Sequence, residues 1–203
     1  MKTLLSLVLA FSTTASFAQT AKPAAEAAAT TYKVDTSNTK VTYVGSKKVG
    51  ESHTGQIKAK DGWVTVKGEV ITAGEITMDM NSITSTDLTD KEANGKFIGH
   101  MKSADFFNTA KYPDSKLVIK SSKKTAKGLE VEGEMTMIGQ TGPVKFTATD
   151  VKSTAELYSA KANIDVDRTK WGLKYGSGQF FKGLGDKIIN DNFTLQVELT
   201  AKK

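Results

Sequence analysis

The 203-residue chain contains no cysteine. Disulfides, thiolate catalysis and thiolate metal sites are therefore excluded, and the fold must be held by its core alone. A long apolar run is missing as well. The stretch from Leu4 to Phe11 falls well short of the ~20 residues a membrane-spanning helix needs. Clustered basic charge is absent too. The net charge is +6, and since Lys2 is the only charged residue of 1–18, the remainder carries +5. Its lysines are scattered, and the longest basic runs are pairs such as Lys47-Lys48 and Lys123-Lys124. A nucleic-acid surface needs charge concentrated along one face, so that class is set aside. A mild attraction to anionic lipid surfaces is what this balance leaves. Histidine occurs only at 53 and 100, and arginine only at 168, which leaves few groups able to carry chemistry at neutral pH.

What is present begins with an export signal. Lys2 supplies the positive start, Leu4 to Phe11 the apolar run, and Ser16-Phe17-Ala18 a small-x-small cleavage site before Gln19. Residues 1–18 are expected to be removed, which places the mature protein in the periplasm or outside the cell. Residues 19–31 are rich in alanine and threonine, lack large apolar side chains, and read as a tether. Residues 32–203 remain, enough for one domain with a real core.

Alternation dominates that domain. In Phe193 to Ala201, Phe193, Leu195, Val197, Leu199 and Ala201 share one face, while Thr194, Gln196, Glu198 and Thr200 share the other. Leu129 to Met137 repeats the pattern with Glu130, Glu132, Glu134 and Thr136 outward. Similar segments run over 40–47, 56–60, 63–67, 74–80, 115–122, 144–151 and 155–167, punctuated by Asp61-Gly62, Gly68, Lys127-Gly128 and Gly142-Pro143. About nine short strands with short turns predict an all-β antiparallel sandwich or closed barrel. The charged faces point outward, as in a water-soluble sheet around an apolar interior, the reverse of a membrane barrel. Whether such an interior is filled or hollow is not decided by the pattern.

Two segments break the rhythm. In 87–113, Ala93, Phe97, His100, Met101 and Ala104 fall on one face of a helix of three to four turns, weakened at Gly95 and Gly99. In 168–192, five glycines are mixed with Trp171, Leu173, Tyr175, Phe180, Phe181, Leu184, Ile188 and Ile189. That segment is longer than a connection requires and too apolar to be disordered.

Four stretches in this order resemble the YceI-like family: Tyr32-Lys-Val-Asp35; His100-Met-Lys-Ser-Ala-Asp-Phe-Phe107 with Tyr112-Pro113; Gly133 to Gly139 with Pro143-Val144; and Asp167-Arg168 leading into Trp171-Gly172. The resemblance implies an exported, lipocalin-like antiparallel barrel, with the helix and the long loop near its mouth. It further implies a non-enzymatic carrier whose lumen takes an amphiphile with an isoprenoid or acyl tail: an isoprenoid quinone, a polyprenyl phosphate or a fatty-acid-like amide. Such a protein would serve lipid transport, storage or stress response, and would need no cofactor.

The ligand-facing candidates are Phe97, His100, Met101, Asp105, Phe106, Phe107, Arg168, Trp171, Tyr175, Phe180, Phe181 and Phe193. Two adjacent side chains such as Phe106 and Phe107 cannot both point the same way, so one is expected inward and the other over the mouth. His100 has two readings, a packing or capping residue bonded to Asp105 or backbone, and a contact to a ligand head group. His53 reads as a solvated residue. The planar fork of Arg168 suits either an internal ion pair that holds the long loop or capture of an anionic head group. An esterase-like reading would combine Ser103, His100 and Asp105, but no nucleophile elbow or oxyanion motif accompanies them. His100 and Asp105 have no third ligand at metal spacing. A filled-barrel interaction scaffold is a further alternative, and pairing of two copies is left open.

Overall fold

The computed structural model describes residues 28–203. The expected export signal and residues 19–27 of the tether lie outside the described residues. Nine strands and one helix follow: β1 (Thr30–Val34), β2 (Lys40–Ser46), β3 (Ser52–Lys67), β4 (Val70–Asp79), α1 (Lys91–Lys102), β5 (Asp114–Thr125), β6 (Gly128–Met137), β7 (Gln140–Ser153), β8 (Leu157–Asp167) and β9 (Asn192–Lys202). The domain thus begins inside the expected tether, at Thr30.

All pairings are antiparallel, and the sheet closes on itself through β3–β4. The nine strands fill eight positions, because β1 and β2 divide one between them. β1 pairs with Trp63 to Val66 of β3 and with Ala201 and Lys202 of β9. β2 pairs with Ser52 to Ile57 of β3 and with Thr194 to Glu198 of β9. Between them, the Asp35 carboxylate accepts the backbone N–H groups of Ser37 and Asn38 and turns the chain. An eight-position barrel has an interior that side chains just fill or that holds one small ligand.

The sequence pattern puts 56–60 and 63–67 on separate strands with a turn at Asp61-Gly62. The structure has one 16-residue strand, β3, with a bulge between Ala59 and Asp61. Gly62 is needed for close packing, not for a turn: a Cβ there would lie 2.6 Å from the Glu75 carbonyl oxygen and 3.0 Å from Val34. At the β6–β7 turn, Ile138 and Gly139 both have positive φ (44° and 75°). That geometry is strained for a β-branched residue and natural for glycine. A Cβ on Gly139 would also stand 2.7 Å from the Tyr112 ring.

Inside and outside follow the alternation. On β6, Leu129, Val131, Met135 and Met137 are buried, while Lys145 reaches across from β7 to Glu130 at 2.6 Å and Glu132 at 3.0 Å. The outer wall is therefore charged. No helix among the described residues is long and apolar enough to cross a membrane.

Two buried clusters divide the barrel along its axis. One, with Tyr32, Val64, Val66, Leu129, Val131, Tyr158, Leu199 and Ala201, closes the end that carries the β5–β6 and β7–β8 turns. The other, with Tyr43, Ile57, Ile83, Met101, Phe107, Ile164, Trp171 and Leu173, lies toward the end covered by α1 and the long 172–191 segment. α1 is set by Asp90, whose carboxylate accepts the Ala93 N–H at 2.8 Å, and ends as Ser103 turns back onto the His100 carbonyl. It therefore stops before Ala104. Gly95 and Gly99 lie in open space on it, so any role they have is not one of close packing.

Candidate ligand-binding site at the open end of the barrel

The long segment after β8 is built, not loose. Asp167 accepts the Thr169 N–H and hydroxyl, a turn of 3-10 helix runs Arg168–Trp171, and Gly172 ends it in the left-handed region (φ 80°). Trp171 is buried, and its indole N–H donates to the Met135 carbonyl at 2.8 Å. Arg168 is 2 % exposed. Its guanidinium donates to the carbonyls of Asn190 (3.0 Å), Leu173 (2.7 Å), Tyr175 (2.9 Å) and Ile189 (3.1 Å), and faces the Asp191 carboxylate at 3.6 Å. Burial lowers its pKa, opposed by the charges of Asp191 and Asp167. Of the two sequence readings, the geometry is that of a clamp on the loop. The fork is occupied by carbonyls of the loop itself, which it satisfies.

Under this loop and α1 opens a cavity of about 320 Å³. Its wall includes Tyr43, Ile57 and Ile83 from the barrel, Phe97, His100 and Met101 from α1, Phe106 and Phe107 behind it, and Leu173, Tyr175, Ile189 and Phe193 from the loop and β9. A second chamber of about 80 Å³ shares Ile57, Phe107 and Phe193 with the first and continues to Ile76, Leu117, Leu195 and Val197. The two chambers adjoin within the barrel, with those three side chains forming their common border. Along β9 the transition is visible residue by residue: the inward-facing Phe193, Leu195 and Val197 are partly exposed, whereas Leu199 and Ala201 are buried. Inward-facing apolar residues that remain accessible mark a hollow interior, and the closed-end cluster is its floor.

Phe106 and Phe107 divide as adjacent side chains must. Phe107 is buried at that border, and Phe106 lies at the mouth, against Phe107 (5.0 Å between centroids), His100 (5.7 Å) and Tyr175 (6.5 Å). His100 also faces Tyr175 at 4.6 Å, and its Nε2 is buried without a hydrogen-bond partner. Asp105 does not supply one. It is exposed, and its place on the turn after α1 carries it away from the cavity. The Ser103 hydroxyl donates to the His100 carbonyl as a cap, so the three residues do not assemble a triad.

Four candidates lie off the cavity wall. Besides Asp105, Trp171 is sealed into the core beneath the loop, and Phe180 and Phe181 are 45 % and 49 % exposed on its outer side. The sequence could not separate these from Tyr175, because the loop's five glycines destroy any fixed period. His53 moves the other way. It lines the cavity, its ring packs on Phe97 at 4.4 Å, and its Nδ1 lies 2.8 Å from the Asp87 carboxylate. Both histidines of the chain thus stand at one mouth. Burial opposes charge on Asp87, but bonds from His53, the Thr54 N–H and the Ser85 hydroxyl outweigh it and hold its pKa at about 2. Tyr43, which donates to the Thr84 carbonyl at 2.8 Å, is pushed up to about 12, first by burial and then by the charge of Asp87. Tyr43 and Ile57 were recoverable from alternation. His53 with Asp87, 34 residues apart, was not. Among the described residues no cluster of three or more His, Asp or Glu could hold a metal.

The fold and the cavity define an antiparallel, lipocalin-like barrel with an apolar cavity at one end. The profile of the YceI-like domain family matches residues 32–201, and the chain belongs to that family. It is 35 % identical over 94 residues to Protein YceI of Escherichia coli O157:H7, covering 46 % of this chain and 47 % of that protein. It is 51 % identical over 51 residues to a UPF0312 protein of Pseudomonas putida, covering 25 % and 27 %. The match spans about half the length of the first of these relatives, and less of the second. Among solved structures, a polyisoprenoid binding domain from Saccharophagus degradans implicated in plant cell wall breakdown superposes with a TM-score of 0.57 at 14 % identity, over 84 % of this chain and 97 % of that one. BcnA of Burkholderia cenocepacia superposes with 0.55 at 19 %, over 83 % and 99 %. At such identities these likenesses establish the fold.

Proposed function

We propose that this chain is an exported, non-enzymatic binding protein that holds one amphiphilic lipid, with the isoprenoid or acyl tail in the lumen and the head group at the mouth. The observation that carries the reading is the cavity itself: apolar, set beneath α1 and the loop, and continued along β9 by the inward side chains Phe193, Leu195 and Val197, which stay partly exposed. Membership of a family with a polyisoprenoid-binding structural neighbour supports it. Burial of the tail supplies the affinity at about 25 cal/mol per Å².

The site also narrows the cargo. At about 320 Å³ the main chamber is at the small end of ligand pockets, which run about 300–1,000 Å³. That suits a short prenyl or medium acyl tail, or the first part of a longer one whose remainder leaves the mouth. The head group meets few free charges. Of the cationic side chains on the wall, Lys47 pairs with Glu51 and Arg168 is occupied by the loop. The unpartnered His100 Nε2 suits a neutral head group with a hydrogen-bonding atom, a quinone or amide in preference to a phosphate.

Native mass spectrometry of protein exported by its own cells, followed by organic extraction, tests this. A discrete mass excess that resolves to a neutral amphiphile is the expected result. A clean apo mass that takes up neither quinones, prenols nor fatty amides would overturn it and favour a scaffold role.

A further inference from the structure

Among the described residues, five large hydrophobic side chains are exposed: Val49, Trp63, Tyr175, Phe180 and Phe181. Four of the five stand at the open end, and only Trp63 lies on the barrel wall. They belong to one surface. The Lys47–Glu51 turn, which carries Val49, is joined to the loop by a bridge between Lys47 and Ile189 and by the Lys48 N–H donating to the Ile188 carbonyl at 2.8 Å. Ile189 in turn donates to the Gly176 carbonyl at 2.8 Å. Phe180 and Phe181 are held outward by structure. Their N–H groups donate to the carbonyl of the fully buried Ser177, and Arg168 pins the loop beneath.

The charge of this rim is net positive. Residues 174–187 carry Lys174, Lys182 and Lys187 against Asp186 alone, and Lys48 joins them from the neighbouring turn; all four lysines are exposed. Lys174 Nζ lies 4.7 Å from the centre of the Phe180 ring. On the barrel wall several lysines are matched across strands by acids, as Lys116 is with Glu75, Lys124 with Glu69 and Lys145 with Glu130. Exposed aromatics ringed by unmatched lysines are the composition of a surface that lies in a bilayer interface, its apolar groups in the acyl boundary and its cations among anionic head groups.

We propose that the open end docks on an anionic bilayer surface, with Phe180, Phe181 and Val49 entering the interface and the mouth facing the lipid. The proposal deepens the binding reading above by giving cargo its route of entry, but vesicle attachment is measurable whether or not cargo is bound.

The test is flotation of the purified protein with vesicles of phosphatidylglycerol and phosphatidylethanolamine, and with phosphatidylcholine alone. Wild type should float with the anionic vesicles, weaken with added salt, and bind phosphatidylcholine poorly. F180S/F181S, with an unchanged thermal melt, should bind the anionic vesicles about tenfold or more weakly. W63S, which removes an equally exposed aromatic from the wall, should bind as wild type does. Wild type that ignores both vesicles, or F180S/F181S that binds as well as wild type, would overturn the proposal. So would a rim-dependent complex with a protein or a second copy in the absence of vesicle binding. Vesicle attachment by a protein that takes up no lipid would leave docking standing and sink the binding reading. Lipid uptake from detergent by a chain that never attaches to vesicles would do the reverse.

Discussion

The two ends of this barrel are made from the same strands with the same alternation, and they behave as different materials. At the closed end the inward positions hold Tyr32, Val64, Leu129, Val131, Tyr158 and Leu199, which meet and exclude solvent. Tyr158 is fully buried, and its hydroxyl donates to the Glu69 carbonyl at 3.2 Å. At the open end the inward positions are no less apolar, but the strands run on to a rim covered by a helix and a braced loop. There the side chains line space. Apolar patterning therefore specifies which way a residue faces; whether it meets a neighbour or an empty chamber depends on what crosses the end of the barrel.

Substitutions can break that contrast. Tyr158→Ala should lose about 4 kcal/mol of stability in urea unfolding, through a cavity and an orphaned carbonyl. Phe97→Ala, at the lined end, should lose about 1 kcal/mol, because its ring borders space already open. Equal losses would mean that the open end is packed as tightly as the floor. Arg168→Ala should lose about 3 kcal/mol and expose 172–191 to limited proteolysis, since four carbonyls lose their donor. Arg168→Lys should rescue little of it, because an ammonium cannot span that fork.

A homologous series of prenyl or alkyl amides sharpens the same boundary. Affinity should rise by about 0.8 kcal/mol per methylene until the lumen is filled and then level off. Leu199→Ala, which opens the floor, should carry the rise one or two carbons further. An unbroken rise in the wild type would show that the floor yields. His100→Ala should weaken a neutral, hydrogen-bonding ligand by about 1 kcal/mol, while sparing a hydrocarbon analogue of equal length, as titration calorimetry would show.

The smallest effect is one of pH. Asp87 is held at about 2, so the stability carried by its contacts with His53, Thr54 and Ser85 is present above the ordinary aspartate range near 4 and fades as pH falls toward 2. Carboxyl NMR should place its midpoint near 2 and show it rising in His53→Ala. A midpoint at the ordinary value would remove the pair as an ordered part of the mouth.

Much of this was legible in the chain. The alternation in Leu129–Met137 and Phe193–Ala201 appears in β6 and β9 with the same faces inward, and the helical spacing of Phe97, His100 and Met101 places all three on the cavity wall. The 168–192 segment was legible as ordered but not as oriented. Tyr175 faces the cavity while Phe180 and Phe181 face water, because a glycine-rich path has no period from which direction can be read. The Asp61-Gly62 pair read as a turn because its sequence is that of one, but a close contact with Glu75 and Val34 makes it part of a continuous strand.

The sequence by itself determined most of the strands and their inner and outer faces, the lack of any thiol chemistry and the position of the helix, because each depends on local periodicity or on a residue type being absent. Only the tertiary structure decided that two short strands share one barrel position, that the lumen is open above Leu199 and closed below it, and that His53 and His100 meet at one mouth. It also turned Arg168 inward as the clamp of its loop. These depend on contacts between residues as far apart as Arg168 and Asn190 or Lys33 and Lys202, whose geometry no local pattern records.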